Sequence, residues 1–504
     1  MSRTKNASKN IFFNVIYQIV NILLNFILRQ VFINTLGVEF LGINSLFTDV
    51  LGMLSVIDLG FNTAMVYSFY KPLADGDQRK ISALVTFYRG VYRKIAICIA
   101  ISGIALTPFI HLIVNTDNNI PFLHIYFLFS LVNVVVSYLF IYKTTILTAD
   151  QKNYIVMKTN IYVTILKFIL QIFLLLIFKN YILYLLVGII ANILSNFIAS
   201  KKATQLYPYI NNKENINNST KKNILDNIKS VFIYKVSSIF LTATDNIIIS
   251  FLVGTAAVGY YSNYLMINNK IVGIISLLFT SLTAGIGNLI VTEREEKRFK
   301  VFSIEQTVSF IICGVVIPCF YSLVEDLLKV WLGTEYALGS EMALVVSLNM
   351  YLACVLQPLW SYREATGLYS RTKWIMLIAA VLNIILSILF GKIWGTVGIV
   401  FASAISRVAT YVWYEPKLLF KLYFKQSFFP YLKRVLFNFF IIIFLSICLK
   451  FVSSYFIVTN WLQLGFKASM YMCISVIFMV ILYRKSDAIK WLVDRINKLW
   501  RKKF

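Results

Sequence analysis

Residues 11–36 read IFFNVIYQIVNILLNFILRQVFINTL, with Arg3, Lys5 and Lys9 just before them. As an α-helix this run is long enough to cross the ~30 Å hydrocarbon core of a bilayer. It exceeds the apolar core of a signal peptide, and no small-residue cleavage site follows it, so it is expected to be a retained first span. Inside it, Asn14, Gln18, Asn21, Asn25 and Arg29 follow spacings of 4, 3, 4 and 4. That rhythm stacks five polar side chains on one helix face. A span that suits lipid elsewhere but carries a polar stripe needs helices or water against the stripe.

The rest of the chain repeats the pattern. Apolar runs are expected to span at about 11–36, 41–66, 95–114, 122–142, 159–178, 182–200, 232–253, 260–290, 304–322, 341–362, 374–394, 397–414, 435–457 and 465–483. The segments on one alternating side are 1–10, 67–94, 143–158, 199–235, 291–303, 363–373, 415–434 and 484–504. They carry 39 of the chain's 48 Lys and Arg, whereas the opposite segments hold Lys179, Lys329 and Lys392. Lys and Arg beside a span resist translocation, so the basic side is cytoplasmic. The expected fold is an all-α polytopic membrane protein of about 14 transmembrane helices, in the bacterial cytoplasmic (inner) membrane, with both termini in the cytoplasm. Hydrophobic residues at 59%, charged residues at 14% and a mean hydropathy of +0.74 agree. The net charge of +26 is distributed among short loops. It is therefore a topological signal, and no nucleic-acid partner is expected.

An internal repeat is visible. Gly37, Gly42 and Ser45 recur as Gly254, Gly259 and Ser262, 217 residues later. Thr148-Ala149-Asp150 after the fourth span is echoed, at an offset of 216, by Glu364-Ala365-Thr366 after the tenth. Because six spans separate the copies, both halves have the same orientation, a parallel repeat. The expected organisation is a six-helix lobe over 1–200, a cytoplasmic segment over 201–231, a second six-helix lobe over 232–414 and two additional helices over 435–483. An amphipathic tail over 484–504, with Trp491 and Trp500 as interfacial anchors, completes it. Within 201–231, Ile224, Leu225, Ile228, Val231 and Phe232 lie opposite Lys221, Lys222 and Lys229, which suits a helix lying at the inner surface. Two lobes around a central cavity are the architecture of an alternating-access carrier.

Several chemistries find no support. The six cysteines all fall in expected spans without C-x-x-C spacing and read as small buried side chains. His111 and His124 flank one outer loop without an accompanying carboxylate or thiol cluster, and read as interfacial packing, so no metal is expected. P-loop, G-x-S-x-G and H-E-x-x-H motifs are absent from the sequence. No catalytic residue is assigned, and a secondary transporter is expected, not an enzyme.

Polar residues within spans supply the candidate site. Asn160, Thr164, Lys167 and Gln171 share a face of helix 5, and Lys235, Ser238, Thr242 and Asp245 share one of helix 7. Ser403, Arg407, Thr410 and Tyr414 do so on helix 12, and helix 8 sets Asn263 beside Lys270. Five such stripes imply a wet cavity, against the plainer reading of hydrogen bonds between packed helices. The substrate-binding candidates are the cations Arg29, Lys167, Lys270 and Arg407 with Gln18, Asn21, Asn25, Gln171 and Asn263. Arg29 and Arg407 lie near span ends, where snorkelling is the competing reading. The coupling candidates are Asp49, Asp58 and Asp245. Asp49 and Asp58 are nine residues apart, about 180° around an unbroken helix, so they cannot face one cavity unless Gly52 breaks the span. The repeat carries Arg29 onto Asn246, beside Asp245, which makes Arg29 and Asp245 a candidate switching pair.

At this point the chain resembles the bacterial polysaccharide repeat-unit flippases of the multidrug/oligosaccharidyl-lipid/polysaccharide exporter superfamily. The residues that carry the likeness are Leu36-Gly37-Val38-Glu39-Phe40-Leu41-Gly42-Ile43, Ser55-Val56-Ile57-Asp58-Leu59-Gly60-Phe61, Thr244-Asp245-Asn246-Ile247-Ile248-Ile249 and Val258-Gly259-Tyr260-Tyr261-Ser262-Asn263-Tyr264. The resemblance implies a V-shaped pair of lobes that moves an undecaprenyl-pyrophosphate-linked oligosaccharide across the membrane for O-antigen, capsule or exopolysaccharide assembly. It implies coupling to a proton or sodium gradient, no cofactor, and partners among the polymerases and glycosyltransferases of the same route. A cation excess suits a pyrophosphate. A lipid II flippase shares the architecture. A drug–cation antiporter would want more acids than cations. A membrane glycosyltransferase or polymerase would need catalytic carboxylates in a large outer loop, and 323–340 offers Glu325, Asp326 and Glu335.

Overall fold

Helices run wherever the apolar sequence lacks a residue that must turn the backbone, and end where one appears. The computed structural model describes residues 3–55, 61–116, 118, 120–212, 214–453 and 456–490. Among these there are helices and turns and no strand. The chain begins with α1 (Arg3–Leu36), α2 (Val38–Leu54), α3 (Phe61–Asp75), α4 (Gln78–Leu106) and the single turn α5 (Ile110–Ile113). It continues through α6 (Leu123–Tyr138), α7 (Ile141–Ala149), α8 (Tyr154–Phe178), α9 (Tyr181–Leu206) and α10 (Asn218–Leu252). Next come α11 (Thr255–Thr280), α12 (Thr283–Thr292), α13 (Glu295–Trp331), α14 (Ser340–Val355) and α15 (Gln357–Thr366). The last are α16 (Tyr369–Ala409), α17 (Tyr411–Leu419), α18 (Phe429–Ser453) and α19 (Trp461–Tyr483).

Ten of the described helical stretches are long and apolar enough to cross a membrane, and twelve if the bent pairs α6–α7 (48°) and α14–α15 (41°) each count as one span. The run α16 is two limbs. At Gly395 the backbone takes φ 57°, ψ −138°, which ends one limb and starts the other. Asn383 donates to Ser403 at 2.8 Å and Phe390 stacks on Phe401, so the limbs pack antiparallel. Splitting α16 brings the total to thirteen among the described residues. On α1, the polar stripe from Asn14 to Arg29 is half-buried, while Ile11, Val15, Ile19, Leu23 and Ile27 are exposed on the other side. A ladder of exposed aliphatic side chains belongs against lipid.

The repeat is written into the element boundaries. Val38 and Thr255 begin α2 and α11, Gln78 and Glu295 begin α4 and α13, and Leu123 and Ser340 begin α6 and α14. Each pair is 217 residues apart. The copies also meet. A Cβ on Gly42 would lie 2.1 Å from the Thr255 carbonyl oxygen, and a Cβ on Gly259 would lie 2.1 Å from that of Val38. Thr255 is the repeat mate of Val38, and Gly259 that of Gly42, so the contact is reciprocal. Just upstream, Gly37 (φ 91°) and Gly254 (φ 127°) take the left-handed conformation that lets each chain enter its helix.

Two compact units divide the chain, Met1–Gly259 and Tyr260–Phe504. The division falls one helix beyond the expected 201–231 boundary because α10 packs on α2. The first unit buries Phe32, Phe47, Tyr88, Phe127 and Tyr181. The second centres on Phe302, whose ring contacts those of Tyr362, Phe420, Phe424 and Tyr431. Other expectations change in detail. The inner-surface helix within 201–231 is continuous with helix 7 as α10, since neither Gly nor Pro occurs between 218 and 252. The 260–290 span breaks at Ser281–Leu282. The segment 323–340, expected to be a loop, is mostly helix, because α13 runs on to Trp331. Asp58 and the tail beyond residue 490 lie outside the described residues.

The reciprocal contact predicts an asymmetric response to small substitutions. Gly259→Ala places a methyl against backbone and is expected to cost about 1–3 kcal/mol. Gly90→Ala, where an added Cβ meets nothing within 4 Å, is expected to gain up to about 1 kcal/mol from helix propensity. Thermal unfolding of purified protein in detergent checks both; equal midpoints would remove the close approach.

Candidate functional site

In the first unit, α1, α6, α8 and α9 enclose a polar cavity of about 340 Å³. Amides dominate its wall. Asn192 donates to the Asn133 carbonyl and side-chain oxygens at 2.9 and 3.0 Å. Asn196 donates to the Asn192 side chain at 2.6 Å, and Ser195 donates to Asn160. Thr164 and Lys167 continue the α8 wall, and Tyr17 contributes from α1. Lys167 is half-buried, with its ammonium 4.7 Å from the Phe168 ring centroid. Fixed amides that both donate and accept, beside one ammonium, make a surface for hydroxyls and an anion.

The expected stripe of helix 5 therefore splits. Asn160, Thr164 and Lys167 line the cavity. Gln171 is buried and donates to the Tyr184 carbonyl at 3.0 Å, joining α8 to α9. On α1, Asn25 donates to the Asn21 side chain at 2.9 Å, Gln18 is half-buried, and Arg29 has Tyr184 as an electrostatic neighbour. Asn133, Asn192, Ser195 and Asn196 were missed in the sequence reading. Helix 6 did carry a signal, since 192, 195 and 196 share a face, but no charge drew attention to it.

The candidate acids have specific settings. Asp49 accepts from the Asn246 amide at 2.5 Å, which ties α2 to α10. Asp245, adjacent on α10, is buried. In the second unit, Asn263 is fully buried on α11, while Lys270 and Arg407 are half-buried on α11 and the second limb of α16. Two of the three carboxylates in 323–340 are held by the fold. Glu325 accepts from the Tyr264 hydroxyl and from Gly339 N–H, and Asp326 accepts from the buried Lys467 ammonium at 2.7 Å.

A second cavity of about 810 Å³ opens where the ends of α1 and α3 meet the α7–α8 turn. Beside it Lys152 donates to Asp150 at 2.7 Å and to Tyr207 at 3.0 Å, and the Tyr207 hydroxyl donates to Asp150. Burial, then the Asp150 carboxylate, hold the Tyr207 hydroxyl well above the ordinary phenol range, so it stays a donor at neutral pH. Among the described residues no group of three or more His, Cys, Asp or Glu could hold a metal.

An all-helical chain with this many spans, a 217-residue repeat and a polar cavity among its helices defines a multi-pass membrane protein. The polysaccharide biosynthesis protein family matches residues 7–284, more than half the chain, and the chain belongs to that family. No curated protein sequence matches significantly. Among solved structures, lipid II flippase MurJ in an inward closed conformation is similar over 94% of this chain and 99% of its own, with a TM-score of 0.70 and 17% identity. An inward-facing multidrug resistance MATE family transporter of the MOP superfamily aligns over 78% of this chain and 93% of its own, with a TM-score of 0.56 and 14% identity. The Vibrio cholerae MATE transporter VcmN aligns over 84% and 99%, with a TM-score of 0.55 and 14% identity. The likeness to these solved structures is one of fold.

Charge burial in the second unit yields a stability prediction. Arg363 donates to both Glu415 oxygens, at 2.9 and 3.1 Å, joining α15 to α17 in a buried pair. Arg363→Met leaves a buried carboxylate alone and is expected to cost about 3–5 kcal/mol. Adding Glu415→Leu should recover most of that loss. Thermal unfolding of both variants in detergent provides the check, and an undiminished midpoint for the single variant would contradict the burial.

Proposed function

We propose that this protein moves an undecaprenyl-pyrophosphate-linked oligosaccharide repeat unit from the inner to the outer leaflet of the cytoplasmic membrane by ion-coupled alternating access. The cavity of Asn133, Asn160, Asn192, Asn196 and Lys167 is the observation that carries this reading. Sugar hydroxyls both donate and accept, as side-chain amides do, and Lys167 supplies a point charge for phosphate. Membership in the polysaccharide biosynthesis protein family supports the substrate class. We further propose that Asp49 or Asp245 binds the coupling proton or sodium, with Arg29 as a competing partner for Asp245. Polymerases and glycosyltransferases of the same route are the proposed partners. A lipid II flippase is the second reading, favoured by the TM-score of 0.70 to MurJ across nearly its full length.

A deletion strain separates the two readings by which lipid-linked sugar accumulates on the inner leaflet. Under the first reading, Lys167→Ala and Asn192→Leu should each lower export about tenfold, the loss of roughly 1.4 kcal/mol, with protein level unchanged. Lys167→Arg should retain more activity than Lys167→Ala. Accumulation of lipid II alone would transfer the function to the second reading, and full export by Lys167→Ala would remove that residue from the site.

Orientation is proposed from the distribution of Lys and Arg. Reporter fusions should place residue 214 and the C-terminus in the cytoplasm and residue 118 outside. An external C-terminus would overturn the parallel repeat in the membrane as well as the orientation.

A further inference from the structure

The chain's two histidines meet. His111 on α5 and His124 in the first turn of α6 bring their Nε2 atoms to 2.9 Å, with ring planes at 88° and centroids 4.5 Å apart. The Nδ1 of His124 lies 3.0 Å from the Thr107 carbonyl oxygen, and Thr107 is itself held by a hydroxyl bond to the Gly103 carbonyl at 3.0 Å. A carbonyl oxygen only accepts, so Nδ1 of His124 carries the proton and the neutral ring presents a lone pair at Nε2. In the metal-free pair, His111 then donates from its own Nε2. When His111 adopts its other neutral tautomer, both Nε2 lone pairs face one space.

We infer that His111 and His124 form a chelating site for a divalent transition metal, copper(II) or nickel(II) ahead of zinc. Two metal–nitrogen bonds of about 2.0–2.1 Å set at a right angle span about 2.9 Å, whereas a tetrahedral angle needs about 3.3 Å. The observed separation is that of the metal-free hydrogen bond, and a small ring movement reaches either geometry. Copper leads the ordinary affinity series for nitrogen ligands. The Thr107 carbonyl is the outer partner that fixes a ligating imidazole in orientation and tautomer. Both rings lie at an exposed edge, so water completes the coordination.

The site sits on a structural joint. The segment after α5 docks on the end of α10: Ser250 donates to the Ile113 carbonyl at 2.6 Å, and Asn115 accepts from Thr255 N–H at 2.7 Å. Thr116 and Asn118 both donate to Glu39 at the start of α2. An ion bridging α5 and α6 closes the two ends of this segment and holds it against the reciprocal glycine contact. This inference is independent of the substrate proposed above.

The test uses full-length protein in detergent, free of any histidine tag, titrated with copper(II), zinc(II) or magnesium. One copper per chain is expected, bound at least about tenfold more tightly than zinc, with an electron paramagnetic resonance spectrum showing two imidazole nitrogens. Because the chain has two histidines in all, such a spectrum has one source. His111→Ala and His124→Ala should each weaken binding at least about tenfold. Unchanged binding in either variant, or a copper spectrum with fewer than two imidazole nitrogens, overturns the assignment. Where a variant fails to fold, the spectrum of the unsubstituted protein decides alone.

Discussion

Two backbones touch where Gly42 meets Thr255 and Gly259 meets Val38, and the order of the first unit follows from that approach. Helix packing in lipid gains nothing from hiding apolar surface, so close van der Waals contact and hydrogen bonds must hold helices together. Glycine removes the side chain that would keep the backbones apart. With α2 and the start of α11 seated on each other, α10 is drawn alongside α2 and Asn246 reaches Asp49. The same approach seats Thr255 N–H on Asn115. A carboxylate on α2 and the segment after α5 are thus both positioned by one small-residue contact.

Polar side chains between helices have two fates here, and geometry separates them. Gln171, Asn383 and Arg363 are buried and tie one helix to another through the Tyr184 carbonyl, Ser403 and Glu415. The amides around Lys167 also bond one another, yet they leave an open volume among them. A bundle needing only internal glue would close that volume with apolar packing. Keeping it lined by Asn on three helices is costly in lipid unless water or a polar ligand enters.

Much of the fold was legible in the chain. Gly37 recurring as Gly254 relates the two halves, and span length comes from neighbouring residues. The lipid-facing ladder of Ile11, Val15, Ile19, Leu23 and Ile27 opposite the polar stripe is equally local. The site was only partly legible, since periodicity gives the face of a helix but not the neighbour it meets. Lys167 and Gln171 share a face of α8, yet one opens on a cavity and the other on a carbonyl of α9. Asn192 and Asn133 are unremarkable until α6 and α9 are placed together. His111 and His124 were read as flanking one loop and as interfacial packing; their 2.9 Å approach needed the placement of α5 against α6.

The bends offer the deepest use of the repeat. α6–α7 and α14–α15 break at equivalent positions, by 48° and 41°, but with different chemistry. Pro358 opens α15, whereas no proline lies at the first break. A proline is therefore not what both copies require. What they share is support from the preceding long helix. In the second copy, Gln306 and Ser309 of α13 donate to the Val355 and Cys354 carbonyls at the bend, at 3.1 and 3.0 Å. The residues 217 positions earlier are Arg89 and Tyr92 of α4. Tyr92 stacks on Tyr138, the mate of Val355, and Arg89 lies over the Tyr142 ring. One copy holds its bend by hydrogen bonds and the other by ring contacts. A feature kept while its chemistry changes is imposed by packing, so in both units the bend belongs to the pairing of helices and not to any one residue within it.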